Sequence, residues 1–125
     1  MSNVSVLTIE GAGSSRLQSL FRQWGYNPTS TQSMWTAVSA IRSKRFSAVI
    51  IDLHRIIDDI LELVLSIRDV NEVVPIVVVG EPADDQVKRA LQNRTKVYLL
   101  DDRQDDALRV RIARVMDYRS RKNGN

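Results

Sequence analysis

Short apolar runs that alternate with helical patterns constrain the fold of this chain more than any other feature. Strand-like runs occupy residues 4–9, 48–53, 75–79 and 97–100, and a weaker run lies near 27–32. The four strong runs are apolar without alternation, which is typical of strands in a parallel sheet that is covered on both faces. Strand–helix alternation therefore predicts right-handed crossovers and a doubly wound α/β fold. The weak run contains Pro28, which cannot donate to a ladder, so we expect this strand at an edge of the sheet.

Apolar residues at helical spacing between these runs predict five helices. The helices are expected at residues 14–26, 33–45, 56–70, 83–94 and 104–118. Ser14 is a possible N-cap of the first helix, and Gly25 ends it. The residues expected on the buried faces of the second and last helices are Trp35, Val38, Ile41, Leu108, Ile112 and Val115.

The predicted third helix is unusually apolar and carries two stripes at helical spacing. The first stripe is Ile56, Ile60, Leu63 and Ile67, and the second is Ile57, Leu61 and Leu65. One stripe is enough to cover a sheet. The second stripe is either additional core or an exposed patch that needs a partner.

Composition limits the classes of protein that this chain can belong to. Its 125 residues are long enough for one domain with a real core, and there is no second set of core-forming patterns. The absence of cysteine excludes disulfides and thiolate sites. The longest apolar runs are too short to span a bilayer, so we expect a cytoplasmic protein. Residues 119–125 are polar and basic, and are expected to form a tail or the start of a linker.

Candidate site residues follow from the predicted fold, because ligands of doubly wound sheets bind at the carboxyl ends of the strands. Those ends carry Glu10, Asp52, Gly80 and Asp101. His54 is the only histidine, and one histidine cannot make a histidine-based metal site. We therefore expect no bound metal and interpret His54 as a solvated loop residue.

Four segments, in order, carry a resemblance to a known family. They are 48-AVIIDL-53, 61-LELVLSIR-68, 75-PIVVVGEPADD-85 and 97-VYLLDD-102. Together they resemble the receiver domain of bacterial response regulators, with Asp52 at the position of the phosphoacceptor. The resemblance covers residues 1–118. It implies a five-stranded parallel sheet of order 2-1-3-4-5 with helices on both faces.

The chain departs from the receiver pattern at the positions that hold the phosphoryl group. The acidic pair that would bind Mg²⁺ reads Glu10-Gly11, the hydroxyl residue after the fourth strand is Gly80, and the lysine after the fifth strand is Asp101. A phosphoryl group would add about −1.5 to −2 charges, and the sequence shows no obvious cation to offset them. We therefore interpret Asp52 as an inactive phosphoacceptor position, and Glu10 and Asp101 as remnants of the acidic pocket.

The resemblance also implies a switch pair and an interaction face. Gly80 and Tyr98 occupy the switch positions, and room beside Gly80 would let Tyr98 rest inward. The fourth helix, fifth strand and fifth helix form the expected surface for a homodimer or a protein partner. The arginines expected on it are Arg89, Arg94, Arg109 and Arg111. Nearby carboxylates make this surface equally compatible with plain solvent.

These observations predict a non-enzymatic pseudo-receiver of a bacterial signalling or transcription regulator. It would act by phosphorylation-independent protein contacts or dimerisation, without cofactors, and a C-terminal output domain is a possible neighbour. We expect no membrane contact, and no nucleic-acid binding through this domain. Two alternatives stay open: a phosphorylatable receiver that uses Asp52, with Mg²⁺ held by Glu10, and a small-molecule-binding α/β regulatory domain.

Overall fold

One parallel sheet organises the part of the chain that the structure describes. A computed structural model describes residues 4–11, 13–54, 56, 59–101 and 104–123, with side chains as far as residue 116. Neighbouring strands pair in parallel in the order β2-β1-β3-β4-β5. This confirms the predicted fold class and strand order. The strands are β1 (Ser5–Ile9), β2 (Asn27–Thr31), β3 (Ala48–Asp52), β4 (Ile76–Val79) and β5 (Val97–Leu100).

Helices cover both faces of the sheet and divide the core in two. The helices are α1 (Arg16–Gln23), α2 (Met34–Ser43), α3 (Ile60–Val70), α4 (Asp85–Gln92) and α5 (Asp105–Asn123). Buried residues of α1 and α5 form one hydrophobic cluster with the sheet, and buried residues of α2, α3 and α4 form the other. A core on each face explains why the central strands are apolar throughout.

The central strand β3 places Asp52 at the carboxyl edge of the sheet. All five of its residues are buried. Val49 and Ile51 belong to the cluster under α2, α3 and α4, whereas Ala48 and Ile50 belong to the cluster under α1 and α5. This alternation is the ordinary geometry of a strand between two cores. It leaves the carboxylate at the point where the strand leaves the sheet.

The third helix begins later than the sequence predicts. Asp59 caps α3 by accepting a 3.1 Å hydrogen bond from the backbone N–H of Glu62, so the predicted start at residue 56 was wrong. Ile56 precedes the helix and still packs against the core, and Ile57 lies outside the described residues. The second stripe is divided between core and surface. Leu61 packs against the core and Leu65 is 37% exposed.

The prediction that Trp35 faces the core was wrong. Ala37 and Ile41 are the buried residues of α2, whereas Trp35 is 81% exposed. Ser33 caps this helix, and Ala37 and Ile41 form the face that packs in the core. Ala37 and Ile41 lie about one helical turn apart, so a small and a branched side chain pack towards the sheet. The bulkier Trp35 is left outside.

The last helix is longer than predicted. It continues from Asp105 to Asn123 instead of ending at residue 118. Leu108 and Ile112 are fully buried and Val115 packs against the same cluster, as the sequence predicts. The assignment of residues 119–125 to a tail or linker stays a prediction.

Arg68 joins three segments at the amino end of the sheet. Its half-buried guanidinium donates hydrogen bonds to the backbone carbonyls of Asn71 (3.2 Å), Val74 (2.7 Å), Thr95 (3.1 Å) and Lys96 (3.2 Å). Burial lowers the pKa of Arg68. One side chain therefore links the end of α3 to the loops that lead into β4 and β5.

We expect Arg68→Ala to lower the free energy of unfolding by about 2–4 kcal/mol, because the carbonyls lose a charged donor. Arg68→Lys should recover less than half of the loss, because an ammonium cannot reproduce the planar fork of donors. Urea denaturation measures both variants. Arg89→Ala, at an exposed position of α4, is the control and should cost less than about 0.5 kcal/mol. Equal losses in the two alanine variants would contradict the assignment.

Candidate functional site

A cleft lies at the carboxyl end of the sheet, where the sequence predicts the site. Its volume is about 520 Å³. It brings together three predicted site residues, Asp52, Gly80 and Asp101, but Glu10 does not line it. The lining residues are Arg16, Asp52, His54, Val79, Gly80, Glu81 and Asp101.

Glu10 follows β1 and turns towards α1. It is fully buried, and its Oε1 atom accepts hydrogen bonds from the backbone N–H of Leu17 (2.8 Å) and from the hydroxyl of Ser14 (3.2 Å). Its Oε2 atom accepts from the N–H of Gln18 at 3.2 Å. Ser15 holds the N-cap position but makes no side-chain capping bond. Glu10 therefore caps α1, and its negative charge lies at the positive end of the helix dipole.

Asp52 is held by the loop that follows it. The carboxyl group is 4% exposed, and its Oδ1 atom accepts a 3.1 Å hydrogen bond from the backbone N–H of His54. This is a turn in which the aspartate accepts a hydrogen bond from the backbone amide two residues on. Asp101 lines the same cleft and is exposed. The cleft thus contains the strand-end carboxylates of Asp52 and Asp101 but not that of Glu10.

Gly80 has a backbone that a side chain would not fit. Its φ is +122°, and a Cβ atom there would lie 2.9 Å from Nε2 of His54 and 3.1 Å from Cβ of Leu53. The imidazole of His54 therefore occupies the room that the sequence analysis expects to be open. Tyr98 is partly buried and packs against the cluster under α1 and α5.

Two cations near the cleft were missed by the sequence analysis. Arg16 lines the cleft and forms a 2.7 Å ion pair with Asp105, which joins α1 to α5. Lys88 forms a 2.7 Å ion pair with Glu81. A hydrogen bond to Glu81 and its charge raise the pKa of Lys88, and Asp101 adds to the effect.

The position of Arg16 was the available signal in the sequence. It is the first residue of a helix that begins at the carboxyl edge, but its partner is 89 residues away. Only the packing of α1 beside α5 brings the two together. Both cations are already paired with carboxylates other than Asp52.

The described residues offer no metal site. Within them, no group of three or more histidine, cysteine, aspartate or glutamate side chains is placed to hold an ion. None of the helices in that part of the chain is long and apolar enough to cross a membrane.

The four arginines of the predicted interaction face are exposed in the structure: Arg89, Arg94, Arg109 and Arg111. A second cleft, of about 250 Å³, lies on this face and is shared by Lys88, Leu99, Asp101 and Arg111. Val110 is 52% exposed on the same helix, α5. The surface thus combines charges of both signs with one apolar side chain.

Comparisons with known proteins give matches at the level of structure alone. No family model and no curated protein matches the chain. The structure is similar to the signal receiver domain of an HD domain-containing protein from Pseudomonas fluorescens. The TM-score is 0.83 at 15% identity, covering 100% of this chain and 95% of that one. A CheY-like receiver domain protein from Methanospirillum hungatei gives a TM-score of 0.82 at 13% identity, covering 97% and 99%.

A third similar structure holds a metal ion. It is the receiver domain of a sensor histidine kinase from Pseudomonas aeruginosa, with magnesium coordinated in the active-site cleft. The TM-score is 0.76 at 20% identity, covering 93% of this chain and 99% of that one. These likenesses show that the chain has the fold of response-regulator receiver domains.

Gly80→Ala should lower the free energy of unfolding by about 2–4 kcal/mol, because backbone strain adds to the clash with His54. Gly25→Ala is the matched control. Its φ is +93° but no atom lies within 4 Å of the new Cβ, so only backbone strain of about 1–2 kcal/mol is expected. Adding His54→Ala to Gly80→Ala should recover the part of the loss that the imidazole causes, while the 3.1 Å contact with Cβ of Leu53 remains. Chemical denaturation of the three variants tests this, and equal costs at the two glycines would refute the role of His54.

Glu10→Ala should lower the free energy of unfolding by about 2–3 kcal/mol, because it leaves the buried N–H of Leu17 without an acceptor. Asp59→Ala removes an exposed cap from α3 and should cost about 1 kcal/mol. Thermal or urea unfolding compares the two caps. A smaller loss for Glu10 than for Asp59 would contradict the assignment of Glu10 as the principal cap of α1.

Proposed function

We propose that this domain of receiver fold is a pseudo-receiver, a regulatory module of a bacterial signalling or transcription-control system that works through protein contacts without phosphorylation. One observation carries the proposal. The carboxylate of Glu10 is buried in hydrogen bonds to the start of α1 and does not reach the cleft that holds Asp52. The acidic pair that the receiver resemblance requires is thereby reduced to a structural cap.

The residues at the cleft do not fit a magnesium ion. Mg²⁺ needs near-octahedral oxygen ligands at about 2.0–2.1 Å. Turning Glu10 towards Asp52 would break its hydrogen bonds to Ser14, Leu17 and Gln18 and leave two helix N–H groups unpaired. The loss of those bonds opposes metal binding directly.

Charge at the cleft also opposes a phosphoryl group. On Asp52 it would add about −1.5 to −2 charges beside Glu81 and Asp101. Arg16 and Lys88 are engaged in ion pairs, and breaking those pairs would take a cation away from Asp105 and from Glu81. Phosphoryl transfer depends mainly on positioning and electrostatic stabilisation. This cleft supplies little of either.

One observation favours a second candidate, a phosphorylatable receiver with an unusual site. Arg16 lines the cleft and is half-exposed, with 45% of its side chain accessible. If it left Asp105, its guanidinium would be available to a phosphoryl group on Asp52. The two candidates differ in whether Asp52 responds to Mg²⁺ and a phosphoryl analogue.

An amide NMR titration with Mg²⁺ and then beryllofluoride separates the candidates. We expect no shift of the amide resonances of Glu10, Asp52 or Tyr98 at millimolar Mg²⁺. The response to the titration should be the same in wild type and Asp52→Ala. The magnesium-binding receiver domain from Pseudomonas aeruginosa is the positive control under the same conditions. Shifts at these residues that Asp52→Ala abolishes, and that Arg16→Gln weakens, would establish the second candidate instead.

The protein contacts of the proposal are assigned to the α4–β5–α5 face. Charges of both signs suit a two-fold interface, in which each cation meets a carboxylate of the other copy. The exposed Val110 lies on α5 between Arg109 and Arg111. A homodimer through this face is therefore part of the proposal, with a different protein partner as the alternative.

Sedimentation velocity tests the interface. We expect a concentration-dependent dimer that Val110→Glu combined with Arg109→Glu weakens at least about tenfold, equivalent to 1.4 kcal/mol. Arg42→Glu, on the exposed side of α2, is the control for a charge reversal on another surface and should leave the dimer unchanged. A monomer at every concentration would remove self-association from the proposal and leave only the contact with another protein.

A further inference from the structure

One continuous part of the chain contains no acidic residue. Residues 11–51, which include α1, β2 and α2, contain five basic residues and no acidic residue. Fourteen of the 15 acidic residues follow residue 51, and Glu10 is the remaining one. The edge strand β2 pairs with β1, and α1 and α2 cover opposite faces of the sheet beside it. An acid-free segment thus surrounds one edge of the sheet.

The outer face of α2 carries the most exposed large apolar side chain among the described residues. Trp35, Ser39 and Arg42 recur at positions i, i+4 and i+7, and all three are exposed. Ala37 and Ile41 face the core from the opposite side. We call Trp35, Ser39 and Arg42 the α2 strip. Seven residues of helix span about 10 Å, so the indole and the guanidinium lie two turns apart with only a small side chain between them.

Three cations are grouped at the end of this strip. Arg42, Lys44 and Arg45 are all exposed. Lys44 is held in place, because its Nζ atom donates to the hydroxyl of Thr29 at 3.4 Å and lies 5.5 Å from the centre of the Phe46 ring. Within the described part of the chain, Arg42 and Arg45 form no ion pair.

The helix dipole accounts for only part of this arrangement. A cation in the last turn of a helix is favourable, and Arg42 fits that explanation. The dipole does not require three cations close together, and it gives no reason for an indole that is 81% exposed. Tryptophan and arginine are the residues that most often dominate binding at protein interfaces.

We propose that the α2 strip binds a partner protein through a short acidic segment that carries one large apolar side chain. The apolar side chain packs on Trp35, across the gap left by Ser39. Carboxylates about two helical turns away pair with Arg42 and Arg45. Within residues 11–51 no acidic group opposes an acidic segment, and the nearest helix with carboxylates is α3, which contacts α2 and carries the exposed Glu62 and Asp69.

The pattern fits an acidic protein segment better than a nucleic acid. Single-stranded binding combines a positively charged groove with several aromatic stacking platforms. Here one indole stands at one end of a helix and the cations are grouped at the other. The inference uses neither Asp52 nor the α4–β5–α5 face, so it stands or falls independently of the proposed function.

The test is a titration of the whole chain with a fluorescein-labelled peptide. The peptide carries a phenylalanine followed two helical turns later by a run of glutamates. Fluorescence anisotropy gives the affinity, and the indole N–H resonance of Trp35 reports the site. We expect Trp35→Ala, and Arg42→Glu combined with Arg45→Glu, each to weaken binding at least about tenfold. Arg22→Glu, at an exposed position of α1, is the charge control and should change the affinity less than about twofold.

Two further peptides separate the anchor from the charge. Replacing the phenylalanine by serine, or the glutamates by glutamines, should each weaken binding at least about tenfold. An unmoved Trp35 indole resonance at about millimolar peptide would overturn the proposal, and so would binding that Trp35→Ala leaves intact. Tighter binding of a DNA oligonucleotide of equal charge to the same residues would assign the strip to nucleic acid instead. All three substituted side chains are exposed, and thermal melting confirms that the variants fold.

Discussion

The buried carboxylate of Glu10 is the interaction on which the rest of the site depends. It satisfies two N–H groups at the start of α1 and binds the hydroxyl of Ser14, so it fixes how β1 is connected to the first helix. A buried carboxylate is tolerated only when hydrogen bonds replace its hydration, and here several do. Once Glu10 is committed to the helix, it is no longer available to the cleft.

The cleft is organised around this commitment. Asp52 bonds to the loop that follows it, and the imidazole of His54 fills the space that a side chain at position 80 would need. Of the nearby cations, Arg16 of α1 pairs with Asp105 of α5, and Lys88 of α4 pairs with Glu81 in the loop before that helix. The charged side chains named here therefore bond to other groups of the protein itself. These contacts support the proposal that the cleft does not take a phosphoryl group.

Function is therefore proposed to lie on the surface, and two surfaces differ in physical character. The α4–β5–α5 face mixes both signs of charge, which suits pairing with a second copy of itself. The α2 strip is basic and aromatic with no acidic neighbour in residues 11–51, which suits an unlike partner. The two lie on different helices, so one domain could bind both partners at once.

The sequence by itself determined the sheet. Continuous apolar runs can be buried only between two helical layers, and their alternation with helices leaves a parallel, doubly wound arrangement. The segments around Asp52, Gly80 and Tyr98 also contain β3, β4 and β5, as the sequence predicts. Tertiary structure alone decided which side chains meet. Glu10 turned to α1 because unpaired helix N–H groups lay within reach, and Arg16 reached Asp105 because two distant helices share one face of the sheet. Trp35 stayed outside because α2 packs Ala37 and Ile41 in the core, and helical spacing alone cannot distinguish the two faces.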